Sequence, residues 1–105
     1  MHEPRELLDE TVIDHHRLIK SIIEELEAVD WYLQRASATE MPLLKELVLH
    51  NAKEEMEHVV LGLELLRKVH PLWAKMFDEH MYNDDFLAEY GDEFDKTPQE
   101  FLGGE

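Results

Sequence analysis

The chain has 105 residues, enough for one domain, and a helical hairpin of that length buries only a modest share of its surface, so a partner is expected. Its 25 acidic residues against 10 Lys and Arg give a formal charge of −15 at pH 7, which argues against nucleic acid and anionic membranes and suits cations. With no Cys, disulfides, thiolate metal sites, iron–sulfur clusters and cysteine nucleophiles are excluded, and any metal must sit on oxygen and imidazole nitrogen.

The amino terminus, Met1 to Glu6, lacks a basic segment followed by an apolar run, and no stretch approaches about 18 uncharged apolar residues. A soluble, cytoplasmic protein is the expectation. From Pro4 to about Ala36 there is no internal Gly or Pro, and Pro4 suits a first helical turn, so one long helix is predicted there. Ser37-Ala38-Thr39-Glu40 breaks the pattern; Thr39 or Ser37 is the expected cap of a second helix, with Pro42 in its first turn, running to about Val69 before Pro71. Two long helices joined by a few residues imply an antiparallel hairpin. A short third helix is expected from Pro71 to about Met81, giving a helical domain over residues 1–81. The stretch 82–105 carries eight acidic residues against one Lys, with Gly91, Pro98, Gly103 and Gly104 and no sustained helical period, and reads as a flexible acidic tail or one ordered only against a partner.

Stepping about 100° per residue separates the faces of each helix. On the first, apolar residues from Leu7 to Leu33 fall within one arc, with Glu25 at its edge in line with Leu7 and Leu18. Glu24 and Glu27 fall on the opposite side with Arg17, Lys20 and Trp31, and an exposed Trp flanked by acids there reads as a second interface. On the second helix the arc holds Leu43, Leu44, Leu47, Val48, Leu61, Leu65, Leu66 and Val69, but its centre is taken by Asn51, Glu54, Glu55 and His58. Unpaired buried carboxylates cost several kcal/mol, so such a cluster persists in a core only when paired, protonated or bound to metal.

Glu55 and His58 stand three apart on one face, the Glu-x-x-His element of di-iron carboxylate bundles, whose complete site takes a bare Glu from each of two helices and a Glu-x-x-His from each of two others. This chain supplies one of each, which is half a site. Two copies about a two-fold axis would bring Glu25, Glu55 and His58 twice over and close a four-helix bundle. The same spacing also arises by chance: a hydrogen-bonded His58 and solvated Glu54 and Glu55 remain open readings. His50, Glu54 and His58 recur every four residues, with Glu57 near His50, and fit either a side site or an acidic flank; His15 reads as packed.

Two strings, Glu24-Glu25-Leu26-Glu27-Ala28-Val29-Asp30-Trp31-Tyr32 and His50-Asn51-Ala52-Lys53-Glu54-Glu55-Met56-Glu57-His58, resemble the encapsulated ferritin family, ferritin-like proteins housed in encapsulin nanocompartments. The likeness covers roughly residues 2 to 75, with His2-Glu3-Pro4 and His16-Arg17. It implies an all-α protomer, a two-helix hairpin with a short third helix, that dimerises into a ferritin-like four-helix bundle and assembles as an annular decamer of five dimers. It implies a ferroxidase that oxidises Fe(II) with dioxygen at a di-iron centre between subunits, in the cytoplasm inside an encapsulin shell that stores the iron. Carried over by motif, Glu25, Glu55 and His58 would be the ligands, Trp31 would lie by the site, Tyr32 would bond to a ligand, Glu24 and Glu27 would line the metal's approach, and His50, Glu54 and Glu57 would be secondary metal positions. Family members carried as cargo end in an apolar Gly-Ser-containing targeting peptide, which Pro98-Gln99-Glu100-Phe101-Leu102-Gly103-Gly104-Glu105 matches poorly. A truncated chain, a fusion to the shell protein and another docking mode all fit that ending. A non-enzymatic helical module that binds zinc or a partner, and a peroxide-reducing di-iron protein, are the alternatives to the ferroxidase.

Overall fold

A computed structural model of the chain describes residues 1–89, and among these every regular element is a helix. The expectations for 90–105 lie outside the described residues. Packing divides the chain at the His70–Pro71 bond into two units, each described by itself.

The first unit is a hairpin of α1, Glu10–Ala38, and α2, Pro42–Val69. Helix α1 begins later than Pro4, because Pro4 opens only a single 3₁₀ turn over Arg5–Leu7 and Leu8 is extended. The real start signal is Asp9, in β conformation, whose backbone carbonyl accepts the N–H groups of Val12 and Ile13 at 3.0 Å. Leu7 and Leu8 therefore do not belong to the helical face that holds Glu25. Nor does Ser37 or Thr39 cap the second helix. Ser37 lies within α1, while Thr39 ends it and its Oγ1 accepts the Met41 N–H at 3.1 Å. Helix α2 starts on Pro42, which has no N–H to satisfy.

His15 lies against His70, Ile22 against Gly62, and Glu25 against His58, so the helices are antiparallel. The contact line repeats at alternating steps of three and four. His15, Leu18, Ile22, Glu25, Val29, Tyr32 and Ala36 of α1 face Val48, Ala52, Glu55, Val59, Gly62 and Leu66 of α2, and every one is buried or half-buried. This is the period of a coiled-coil seam. The wide apolar arcs of the sequence thus split in two. Val48 and Leu66 are buried, whereas Leu43, Leu44, Leu47, Leu61, Leu65 and Val69 are exposed, as are Ile23, Leu26 and Leu33 of α1.

In an antiparallel pair, positions one before the seam on both helices share one flank and positions one after it share the other. The first flank joins Leu47, Asn51, His58, Leu61 and Leu65 to Asp14, Arg17, Ser21 and Ala28 of α1, and a groove lined by Asp14, Arg17, Ser21 and Leu65 runs along it. The second flank joins Ile19, Ile23, Leu26 and Leu33 to Leu49, Met56 and Val60.

The second unit opens with α3, Pro71–His80, one residue short of the expected end. Trp73 and Phe77 meet one turn apart at 5.8 Å. A four-residue helix, α4, Phe86–Glu89, follows within the stretch expected to lack sustained helix, and the Phe86 ring stacks on His80 at 4.5 Å. Among the described residues no helix is long and apolar enough to cross a membrane.

Candidate metal centre

Glu25 and Glu55 occupy seam positions, where a heptad pattern calls for apolar side chains. His58 lies three residues beyond Glu55, on the first flank, so its imidazole leans over the same turn. The three side chains offer donor atoms within 4.8 Å of one another, the only group of three or more His, Asp or Glu so placed among the described residues. Both carboxylates converge on one ring nitrogen: His58 Nδ1 is 3.4 Å from Glu55 Oε2 and 3.5 Å from Glu25 Oε2. The first is a long hydrogen bond and the second only an ion-pair contact, and a single ring N–H cannot serve two carboxylates well. A cation among the three donors would satisfy all of them, and the set of two hard oxygens and one imidazole nitrogen suits iron or manganese.

The group is enclosed on one side only. The side chains of Glu55, Glu25 and His58 are 22%, 35% and 50% exposed, increasing from the seam toward the first flank. One hairpin therefore holds the donors together but leaves them open toward the flank that carries Leu47, Leu61 and Leu65.

Gly62, seven residues beyond Glu55 in the same seam, permits this approach. A Cβ there would lie 2.8 Å from Ile22 Cγ1, and Ile22 is a buried seam residue three positions before Glu25. The sequence reading passed over Gly62. Its only signal is a lone Gly inside a helix at seam spacing from the ligand.

The family model for EncFtn-like proteins matches residues 1–84, most of the chain and all of the hairpin. The chain belongs to the EncFtn-like family. An encapsulated ferritin-like protein of Rhodospirillum rubrum is 43% identical over 83 residues, which are 79% of this chain and 59% of that protein. A ferritin-like protein of Thermotoga maritima is 36% identical over 92 residues, 88% of this chain and 81% of the relative. The crystal structure of a protein from Nitrosomonas europaea superposes with a TM-score of 0.74 at 38% identity, covering 80% of this chain and 92% of that one. The all-α fold is therefore ferritin-like. The chain spans well under two thirds of the length of the Rhodospirillum relative.

The other residues singled out in this EncFtn-like sequence stand apart from the three donors. Glu24, Glu27 and Trp31 are exposed on the back and side of α1. Glu24 and Trp31 are displaced toward the first flank, the one that bears His58, because they precede seam positions by one residue on an antiparallel helix. Tyr32 sits half-buried in the seam, two turns from Glu25, with the Arg35 guanidinium 5.4 Å from its ring centre. His50 and Glu54 form an exposed pair, Nε2 to Oε1 at 2.9 Å, and Glu57 is exposed. Glu54, which the sequence placed with Glu55 in the core stripe, points out of the seam, since one residue is a rotation of about 100°.

Proposed function

We propose that two copies of this chain form a ferroxidase, completing a di-iron centre from Glu25, Glu55 and His58 of each. The observation that carries the proposal is the convergence of those donors in one chain, open on one flank. Two ferrous ions bound there would each lose one electron, enough with two protons to reduce one dioxygen to hydrogen peroxide. The chain's own groups do the rest. The carboxylates are hard anionic donors that favour the ferric over the ferrous charge, and the imidazole holds ferrous ion long enough to react. The second hairpin excludes bulk water by covering the half-exposed His58, and fixes donor positions before metal arrives.

Assembly follows from the two flanks. A two-fold axis along the first flank doubles the donor set and buries Leu47, Leu61 and Leu65 against their counterparts. These leucines are already 37–50% covered (Leu47 55%, Leu61 63% and Leu65 50% exposed), so burying each is worth about half of the roughly 1.5–3 kcal/mol of a fully exposed Leu. The second flank, with Ile23, Leu26, Met56 and Val60 exposed, supports a second and different two-fold contact. Two distinct two-fold contacts per chain with suitably inclined axes would close into a ring, which we read as five dimers. An open ring has no cavity for mineral, so oxidised iron would pass to an enclosing shell, the role suggested by the encapsulated Rhodospirillum relative. Glu24 and Glu27 would draw Fe(II) toward the centre, Trp31 would lie beside it, and Tyr32 would bond to a ligand across the dimer. His50, Glu54 and Glu57 would hold iron transiently outside it.

Aerobic Fe(II) oxidation by wild type and Glu55→Ala, followed by ferric absorbance together with native mass spectrometry, tests the reading. Rapid oxidation by a dimer-based assembly, reduced to the uncatalysed rate in the variant, is expected. Equal rates would remove the assigned centre and leave a metal-binding helical module; peroxide consumption without oxygen uptake would make it a peroxide-reducing protein.

A further inference from the structure

The first flank of α1 is complementary to its own reverse. Each seam residue of α1 is preceded by one residue on that flank, and in chain order these are Asp14, Arg17, Ser21, Glu24, Ala28, Trp31 and Arg35. Ala28 is half-buried and the others are exposed, so the row is a surface. Taken from the ends inward it pairs Asp14 with Arg35, Arg17 with Trp31 and Ser21 with Ala28: an acid with a base, a guanidinium with an aromatic ring, and two small side chains. All three pairs are centred on Glu24 or between Glu24 and Glu25, at the level of the donor cluster. Such a row is what an isologous contact requires, because about a two-fold axis residue i meets j and j meets i.

The groups at the two ends are available for these contacts. Arg17 Nη1 donates to Asp14 Oδ1 at 2.8 Å, which leaves the second carboxylate oxygen able to accept another guanidinium, and the two side chains are 71% and 56% exposed for Asp14 and Arg17. At the other end the Arg35 guanidinium lies 5.4 Å from the Tyr32 ring centre and pairs with no carboxylate among the described residues. Beside it a hollow of about 400 Å³ opens between Trp31, Gln34 and Arg35. In the middle the Ser21 hydroxyl donates to the Arg17 carbonyl of its own helix at 2.9 Å, so a second helix meets no unsatisfied hydroxyl proton there.

We infer that the two-fold axis of the dimer crosses the helices instead of running with them, so that α1 lies antiparallel on α1 of the second copy. Asp14 then meets Arg35, Arg17 lies over Trp31 in the hollow, and Ser21 and Ala28 let the two backbones approach, each contact occurring twice. An axis running with the helices would set α1 against α2 of the second copy at the same level. Since His15 is level with His70 and Ile22 with Gly62, Arg35 would then face the exposed Leu47, leaving charge against an apolar side chain. The like-charged meeting in the crossed arrangement is Glu24 with its counterpart on the axis, beside the donors that take a cation. Exposed charge pairs add little affinity; their effect is on orientation and register. The inference rests on the dimer of the proposed function and fixes its geometry.

The chain has no Cys, so the register can be read by cross-linking. Ser21→Cys and Ala28→Cys in one chain, oxidised in EDTA, should give a covalent dimer whose disulfides join position 21 of one copy to position 28 of the other. Within one helix these positions are about 10.5 Å apart, too far for a bridge. Either substitution alone should give no covalent dimer. Arg35→Glu should weaken the dimer roughly tenfold in sedimentation, and Asp14→Lys in the same chain should restore it. No 21-to-28 link, links only between like positions, or a charge reversal that the second substitution fails to rescue would overturn the register. The readout is separate from the chemistry: a chain that cross-links as expected but oxidises no Fe(II) keeps the register and loses the ferroxidase, and one that oxidises Fe(II) without the link loses the register alone.

Discussion

Glu25→Gln removes one negative charge from the cluster at nearly constant volume, and its effect on stability reverses sign with metal. The donor atoms lie within 4.8 Å of one another. At about that distance two carboxylates repel by about 0.9 kcal/mol in water and about 3.5 kcal/mol at an effective dielectric constant of about 20. The two side chains are 35% and 22% exposed, and solvent screening holds the figure near the lower end, at about 1 kcal/mol. Both carboxylates face the same His58 nitrogen, at 3.4 and 3.5 Å, and a single N–H there can serve only one of them. The Gln amide adds a donor toward Glu55. The metal-free variant should therefore be more stable than wild type by about 1 kcal/mol, or about 4–8 °C in Tm for a domain of this size. A divalent ion at a hundredfold excess over its Kd then stabilises wild type by about 2.7 kcal/mol and the weaker-binding variant by much less, so the order inverts. Helix signal followed through thermal unfolding, first in EDTA and then in Mn²⁺ at one protein concentration, reads both halves. A variant less stable than wild type in EDTA, or one that metal stabilises equally, would refute the charge argument.

Three further substitutions probe the supports of the centre. Gly62→Ala should gain about 0.5–1 kcal/mol of helix propensity yet lose about 1–3 kcal/mol to overpacking, because its Cβ would meet Ile22 Cγ1 at 2.8 Å; iron affinity should fall with it, and Ile22→Ala in the same chain should restore both. Leu61→Arg with Leu65→Arg, at exposed positions, should leave the hairpin helical by circular dichroism but yield monomers that do not oxidise Fe(II); a monomer with full activity would defeat the half-site proposal. Glu64 takes two hydrogen bonds from Arg67, Nη2 at 2.6 Å and Nε at 2.9 Å, and these hold its carboxyl below the ordinary 4.5. A depressed carboxyl contributes stability above its ordinary value and loses it as pH falls through the lowered one. The difference between wild type and Glu64→Gln in urea unfolding should be present at pH 7 and close below pH 4.5, small throughout because the pair is exposed.

The hairpin was legible because its punctuation is local: Pro42 and Pro71 stand at the starts of α2 and α3, and neither long helix has an internal Pro. The start of α1 was misread because Pro4 and Asp9 are both start signals, and which one prevails depends on where Leu8 leaves the helix. The Glu55 and His58 pairing was legible from spacing alone. Its separation from Glu54 was not, because an arc wide enough to hold two apolar stripes cannot say which of two adjacent glutamates faces α1. Gly62 and the His15–His70 contact were out of reach for another reason: each depends on how closely α1 approaches α2 at one level of the hairpin.

That approach links the centre to assembly. Glu25 and Glu55 take two seam positions that a stable hairpin would fill with Leu or Ile, and among the described residues only Ile13, Ile22, Ala36, Val48, Ala52, Val59 and Leu66 are buried hydrophobics. A chain that weakens its own seam in this way recovers stability from what the flanks can still cover and from what the carboxylates can still bind. Both routes run through the first flank, where His58 and Leu61 are adjacent turns of α2. Metal binding should then favour the dimer, and dimerisation should tighten metal binding by the same factor, because the two equilibria share one set of side chains.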